Sequence, residues 1–141
     1  KMLSEMEAEF WHKVMDINLT SMMFVTRAAS PYLAKNENSS IVNLASLAGR
    51  KGGHPGSLAY SSSKGAILTF TRALSAELGP QGTRVNAVAP GLILGTSFHY
   101  RCYARHQWRS LQYVIPRYIG CDGSLNHMLL IVEKFEILGA I

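Results

Sequence analysis

Residues Ser40–Gly91 read SIVNLASLAGRKGGHPGSLAYSSSKGAILTFTRALSAELGPQGTRVNAVAPG, and this stretch decides the fold. Ser40-Ile41-Val42-Asn43-Leu44 is short and rich in β-favouring apolar side chains, which predicts a buried strand. The loop from Ser46 to Gly56 contains Gly49, Gly52, Gly53, Pro55 and Gly56, all breakers of regular structure. Ile67, Phe70, Leu74 and Leu78 then recur at three or four, which predicts a helix from Leu58 to Leu78. Gly79-Pro80 ends that helix. Thr83–Ala89 predicts a second buried strand, closed by Pro90-Gly91.

Upstream, Ser4 to Leu33 predicts one long helix. Ser4 and Glu7 have the spacing of a capping box, and Phe10, Val14, Ile17, Met22, Phe24, Val25 and Ala28 supply a rough helical period. Pro31 lies near its end, and Lys35-Asn36-Glu37-Asn38 is a polar connection. The order helix, strand, helix, strand is that of a parallel α/β sheet. Ligands in such sheets sit at the carboxyl ends of the strands. The loops beginning at Ser46 and Pro90 leave those ends and are therefore expected side by side.

Composition narrows the class. The chain has 141 residues, enough for one domain with a core, and its apolar fraction of 48% suits a globular protein rather than a disordered one. Charged residues make up only 16%, so much of the surface is expected to be covered by a further piece of the domain or by a partner. The net charge of +5 divides into +3 up to Ser97 and +2 beyond it, and neither part is basic enough to demand nucleic acid. Cys102 and Cys121 form no metal or disulfide motif, which fits a reducing, cytoplasmic setting. No apolar run approaches the roughly 20 residues of a membrane span. The chain opens at Lys1, already close to a helical pattern, and reads as a fragment.

The chemistry concentrates in Tyr60-Ser61-Ser62-Ser63-Lys64 at the start of the second helix. A spacing of four puts Tyr60 and Lys64 on one helical face. A free phenol titrates near ~10, and an ammonium beside it favours the phenolate. Such a pair can exchange a proton with an alcohol or ketone. By itself the pentapeptide is a weak motif and reads better as a surface pair on a helix. Its context is more specific: Leu44-Ala45-Ser46 stands before the glycine-rich loop, Arg84-Val85-Asn86-Ala87-Val88-Ala89-Pro90-Gly91 follows, and Asp16-Ile17-Asn18-Leu19-Thr20 lies inside the first helix.

Together these four segments, in this order, resemble the short-chain dehydrogenase/reductase family over about the first two-thirds of the chain. The resemblance implies a partial Rossmann-like, doubly wound parallel α/β sheet that lacks its first βαβ half. It also implies an NAD(P)-dependent oxidoreductase, moving hydride between a nicotinamide and a carbonyl or alcohol substrate. Tyr60 matches the family's general acid/base. Lys64 matches the lysine that tunes the tyrosine and binds the nicotinamide ribose. Ser46 matches the serine that holds the substrate oxygen, and Asn18 the asparagine that supports a water-linked proton path to the lysine. Pro90, Gly91 and Ile93 match the segment beside the nicotinamide ring, with Thr96 as a further contact to its carboxamide. Each has a plainer reading: Asn18 as a kink in a helix, Ser46 as a turn after a strand.

The chain departs from the family pattern in two places. No glycine-rich turn between a leading strand and helix is present to hold the cofactor pyrophosphate, so the adenosine half of the NAD or NADP site is missing. Residues Tyr100 to Ile141 do not resemble the family's closing segment. The chain therefore divides at 97, into a catalytic half-domain (1–97) and an atypical segment (98–141). That segment is read either as a divergent substrate lid or as an altered reading frame. Within it, Cys102, His106, Cys121 and His127 fit no zinc spacing and are read as scattered loop residues. The basic-aromatic run from Tyr100 to Arg109 is read as partner-facing rather than nucleic-acid-binding. The family's equivalents of helices 4–33 and 58–78 pack around a two-fold axis, which implies a homo-oligomer. The alternative function is a non-catalytic, truncated chain that acts only through oligomerisation.

Overall fold

The computed structural model describes residues 1–36, 38–94, 117–120 and 128–136, with side chains as far as Gly91. The long helix expected from Ser4 is divided. A 3-10 turn spans Leu3–Glu5, helix α1 spans Ala8–Met15, a π-helical turn spans Asp16–Thr20, and helix α2 spans Ser21–Leu33. The capping box expected between Ser4 and Glu7 does not form. Glu7 is extended (φ −85°, ψ 145°) and precedes α1, so it is not in the first helical turn. Its carboxylate pairs with Lys1 Nζ at 3.1 Å, while the Glu5 carboxylate accepts from the Met2 N–H at 3.2 Å. Pro31 is tolerated in the last turn of α2 because the Arg27 carbonyl, which a proline N–H cannot serve, accepts instead from the Ser30 hydroxyl at 3.0 Å.

After α2 come strand β1 (Ser40–Leu44), the short helix α3 (Ala48–Lys51), helix α4 (Leu58–Leu78) and strand β2 (Arg84–Leu94). Strands β3 (Arg117–Gly120) and β4 (Met128–Glu136) follow. They form one four-stranded sheet in the order β1-β2-β4-β3. The pairs β1–β2 and β2–β4 are parallel, and β3 runs antiparallel to β4. The α/β class and its parallel core follow the expectation. Two details do not. First, β2 continues through Pro90-Gly91 to Leu94, pairing with β4 on the way. Pro90 has no N–H to offer, and the β1–β2 register ends just before it, at Leu44↔Val88. Second, β3 and β4 arise in a segment whose aperiodic sequence announced neither. Only the apolar run Met128–Val132 marks the start of β4.

Helix α4 covers one face of β1 and β2. Alternate residues of β2, Val85, Ala87 and Ala89, are buried beneath it, as are Asn43 and Ala45 at the end of β1. Buried Ala45, Ile67 and Ala89 form the core beside the site, flanked by half-buried Leu19, Met22, Leu47 and Leu68. The opposite face is open among the described residues: Val42 is 64% and Leu44 63% exposed, so the strand read as fully buried is covered on one side only.

The face that α4 turns to the sheet takes only part of the apolar stripe of its sequence, Ile67 and Leu78. Its buried residues are Ala59, Ser63, Ile67, Thr71, Ser75 and Leu78, whereas Phe70 and Leu74 are half-buried. Small side chains let the helix approach the alanines of the strands closely. Their hydroxyls are satisfied within the helix or across to β1. Thr71 Oγ1 donates to the Ile67 carbonyl at 2.7 Å and accepts from Asn43 Nδ2 at 2.9 Å.

Candidate active site

The carboxyl end of β1 is joined to β2 by two backbone bonds that bracket Ser46. The Ala45 N–H donates to the Val88 carbonyl at 2.8 Å and the Leu47 N–H to the Pro90 carbonyl at 2.9 Å. The loop starting at Ser46 thus runs beside Pro90, which lies within β2 rather than at the head of a second loop. Ser46 also turns the chain, since its Oγ accepts from the Ala48 N–H at 3.2 Å at the start of α3. A hydroxyl has one proton and two lone pairs, so this bond leaves Ser46 able to donate outward.

Helix α3 is pressed onto the backbone of α4. A Cβ added at Gly49 would collide with the Lys64 carbonyl carbon and come to 2.5 Å from Gly65 N, and one added at Gly65 would meet Gly49 O at 2.9 Å. These two glycines let the Ser46 loop reach the turn of α4 that carries Lys64. The glycine richness of the loop was visible in the sequence. The matching role of Gly65, inside a helical pattern, was not.

Tyr60 and Lys64 lie one turn apart on α4, with Lys64 Nζ 5.9 Å from the Tyr60 ring centroid. Lys64 Nζ donates to the Leu44 carbonyl at 2.9 Å, and no carboxylate pairs with it among the described residues. Burial disfavours its ammonium and lowers its pKa from 10.5. Asn18 lies in the π-helical turn. Its Nδ2 reaches across to α4 and donates to Ser63 Oγ at 3.1 Å. Ser63, fully buried, donates in turn to the Tyr60 carbonyl at 2.8 Å. Ser63 was not singled out from the sequence; its position between Tyr60 and Lys64 was the only available signal.

The structure therefore gathers Asn18, Tyr60 and Lys64 on one end of α4, and ties the Ser46 loop to that end and to Pro90-Gly91. Ile93 lies in β2, where the backbone places it opposite Phe135 of β4. Thr96 lies outside the described residues, as do Cys102, His106, Cys121 and His127. Among the described residues no group of three His, Cys, Asp or Glu side chains could hold a metal ion. No helix there is long and apolar enough to cross a membrane.

Comparison with known proteins identifies the family. A 3-oxoacyl-[acyl-carrier-protein] reductase of Synechocystis is 40% identical over 92 residues, which are 65% of this chain and 37% of the relative. A 2-dehydro-3-deoxy-L-rhamnonate dehydrogenase (NAD(+)) of Sphingomonas is 38% identical over 86 residues, or 61% of this chain and 34% of the relative. The crystal structure of a putative gluconate dehydrogenase from Agrobacterium tumefaciens superposes with a TM-score of 0.70 at 31% identity, covering 76% of this chain and 42% of that one. The chain thus spans well under half the length of these relatives. The short chain dehydrogenase family model matches residues 1–104, well over half of the sequence, and the chain belongs to that family.

Proposed function

We propose that this chain supplies the proton-transfer half of an NAD(P)-dependent oxidoreductase, acting between a nicotinamide cofactor and a carbonyl or alcohol substrate. The observation that carries the reading is the pairing of Tyr60 and Lys64 on one turn of α4, with the ammonium 5.9 Å from the phenol ring centroid. In this reading Tyr60 passes a proton to or from the substrate oxygen. Ser46 holds that oxygen through the O–H that its bond from Ala48 leaves free. Lys64 holds a positive charge beside the phenol, and Asn18 relays protons toward Lys64 through water.

The residues present fit the nicotinamide–ribose end of such a cofactor. Lys64 uses one of its three N–H groups on Leu44, which leaves two for a ribose diol. Pro90, Gly91 and Ile93 offer backbone groups for a carboxamide. The adenosine end finds no second glycine-rich strand-to-helix turn among the described residues. The cofactor, when bound, would supply or accept the hydride; the chain supplies position and charge. The named substrates of the relatives, a 3-oxoacyl carrier protein and a sugar acid, suggest an acetoacetyl thioester as the first substrate to try.

A second reading, oligomerisation without catalysis, has its own support. Ile17, Phe24, Val25 and Tyr32 form an exposed apolar stripe along the π-helical turn and α2, where Val25 is 69% and Tyr32 70% exposed. A second copy packed on this stripe would account for it, and such a homo-oligomer is compatible with either reading. The test is to titrate the chain with NADH and NADPH by nicotinamide fluorescence and to assay acetoacetyl thioester reduction. The first reading expects saturable binding, and turnover that Tyr60→Phe abolishes while the far-UV circular dichroism is unchanged. Absence of binding at millimolar cofactor selects the second.

A further inference from the structure

We infer that Ser63 is a positioning residue that holds the side-chain amide of Asn18 against the Tyr60–Lys64 turn of α4. The inference rests on the oxidoreductase reading for its functional consequence but not for its geometry.

Ser63 is fully buried, so its hydroxyl has no water to fall back on. It donates to the Tyr60 carbonyl at 2.8 Å and accepts from Asn18 Nδ2 at 3.1 Å, so both its donor and an acceptor site are used. An alanine at this position would leave the half-buried Asn18 amide without this partner on α4. The π-helical turn at Asp16–Thr20 belongs to the same device. It widens the helix at Asn18, and Ser63 restrains the side chain so presented from across the gap. Through this bond the asparagine of one helix is set relative to the Tyr60–Lys64 turn of another.

Two measurements on the full chain test this. The first follows hydrogen exchange of the Asn18 side-chain amide by NMR in the ¹⁵N-labelled protein. Exchange is expected to be protected in the wild type and in Ser63→Thr, and fast in Ser63→Ala. Equal protection in Ser63→Ala overturns the inference, whether or not the chain turns over. The second is a double-mutant cycle on kcat for acetoacetyl thioester reduction with NADPH. Loss of one neutral hydrogen bond predicts about a tenfold fall in kcat for Ser63→Ala with little change in KM. Ser63→Thr should restore most of it, and Ser63→Ala should cost nothing further in an Asn18→Ala background. An equal loss in both backgrounds shows that Ser63 does not act through Asn18. A wild type with no turnover counts against the oxidoreductase reading alone, and the exchange measurement still decides the role of Ser63.

Discussion

Lys64 Nζ donates a hydrogen bond to the carbonyl oxygen of Leu44 at 2.9 Å, so the ammonium of α4 closes over the carboxyl end of β1. The partner is a neutral carbonyl rather than a carboxylate. The cation is thereby held in place without being neutralised, which is what a charge meant to act on a neighbouring phenol requires.

This relationship has a pH signature. Burial lowers the Lys64 pKa below 10.5, so between that lowered value and 10.5 the folded chain binds fewer protons than the unfolded chain. Its contribution to unfolding free energy therefore rises with pH through this interval, and the cost of burying the ammonium is fully present below it. The urea midpoint of the wild type relative to Lys64→Met should increase as pH rises toward 10.5. A difference that stays flat across the interval would contradict the placement of Lys64.

The Gly49–Gly65 contact leaves no room for a side chain. Gly49→Ala must push α3 away from Lys64, because the obstructing atoms are backbone and cannot rotate aside. Overpacking of this kind costs about 1–3 kcal/mol. The Gly49→Ala variant should show that loss in chemical denaturation together with a fall in kcat. An unchanged midpoint would mean that α3 is not seated as described.

Asn43 and Thr71 join β1 to α4 through a buried bond of 2.9 Å. Removing one partner leaves a buried polar group unsatisfied. Asn43→Ala should therefore destabilise the chain by about 1–3 kcal/mol, before any loss of packing. Thr71→Val should fall in the same range, and the double variant should lose less than the sum of the two. Additive losses in urea titrations would show that the pair is not coupled.

The exposed stripe of Ile17, Phe24, Val25 and Tyr32 makes oligomerisation measurable. If a second copy covers it, Val25→Glu should shift the sedimentation coefficient toward the monomer while leaving helix content unchanged. A wild type that is already monomeric at high concentration would remove the proposal.

Much of the fold was legible because local rules favoured it. The β-rich runs at 40–44 and 83–89, the breakers between Ser46 and Gly56, and the helical period from Leu58 each declare their element without help from the rest of the chain. Other features were not legible because they depend on what an element meets. The buried face of α4 mixes Ser63, Thr71 and Ser75 with Ala59, Ile67 and Leu78, since closeness to Ala45, Ala87 and Ala89 mattered more than hydrophobicity at Phe70 and Leu74. The division of the first helix, at Glu7 and again at Asp16–Thr20, has no breaker residue in the sequence to announce it.

For the site, the sequence by itself determined which side chains are available: Asn18, Ser46, Tyr60 and Lys64, with four-residue spacing alone placing the last two on one face. Only the tertiary structure decided what holds them. The Leu44 carbonyl, the Gly49–Gly65 contact and the Ser63 hydroxyl are a backbone atom, two absences of side chain and a buried proton. The sequence shows a glycine-rich loop and a serine beside Lys64 but not these roles, because each acquires its role only when β1, α4 and the π-helical turn are brought to the same point in space.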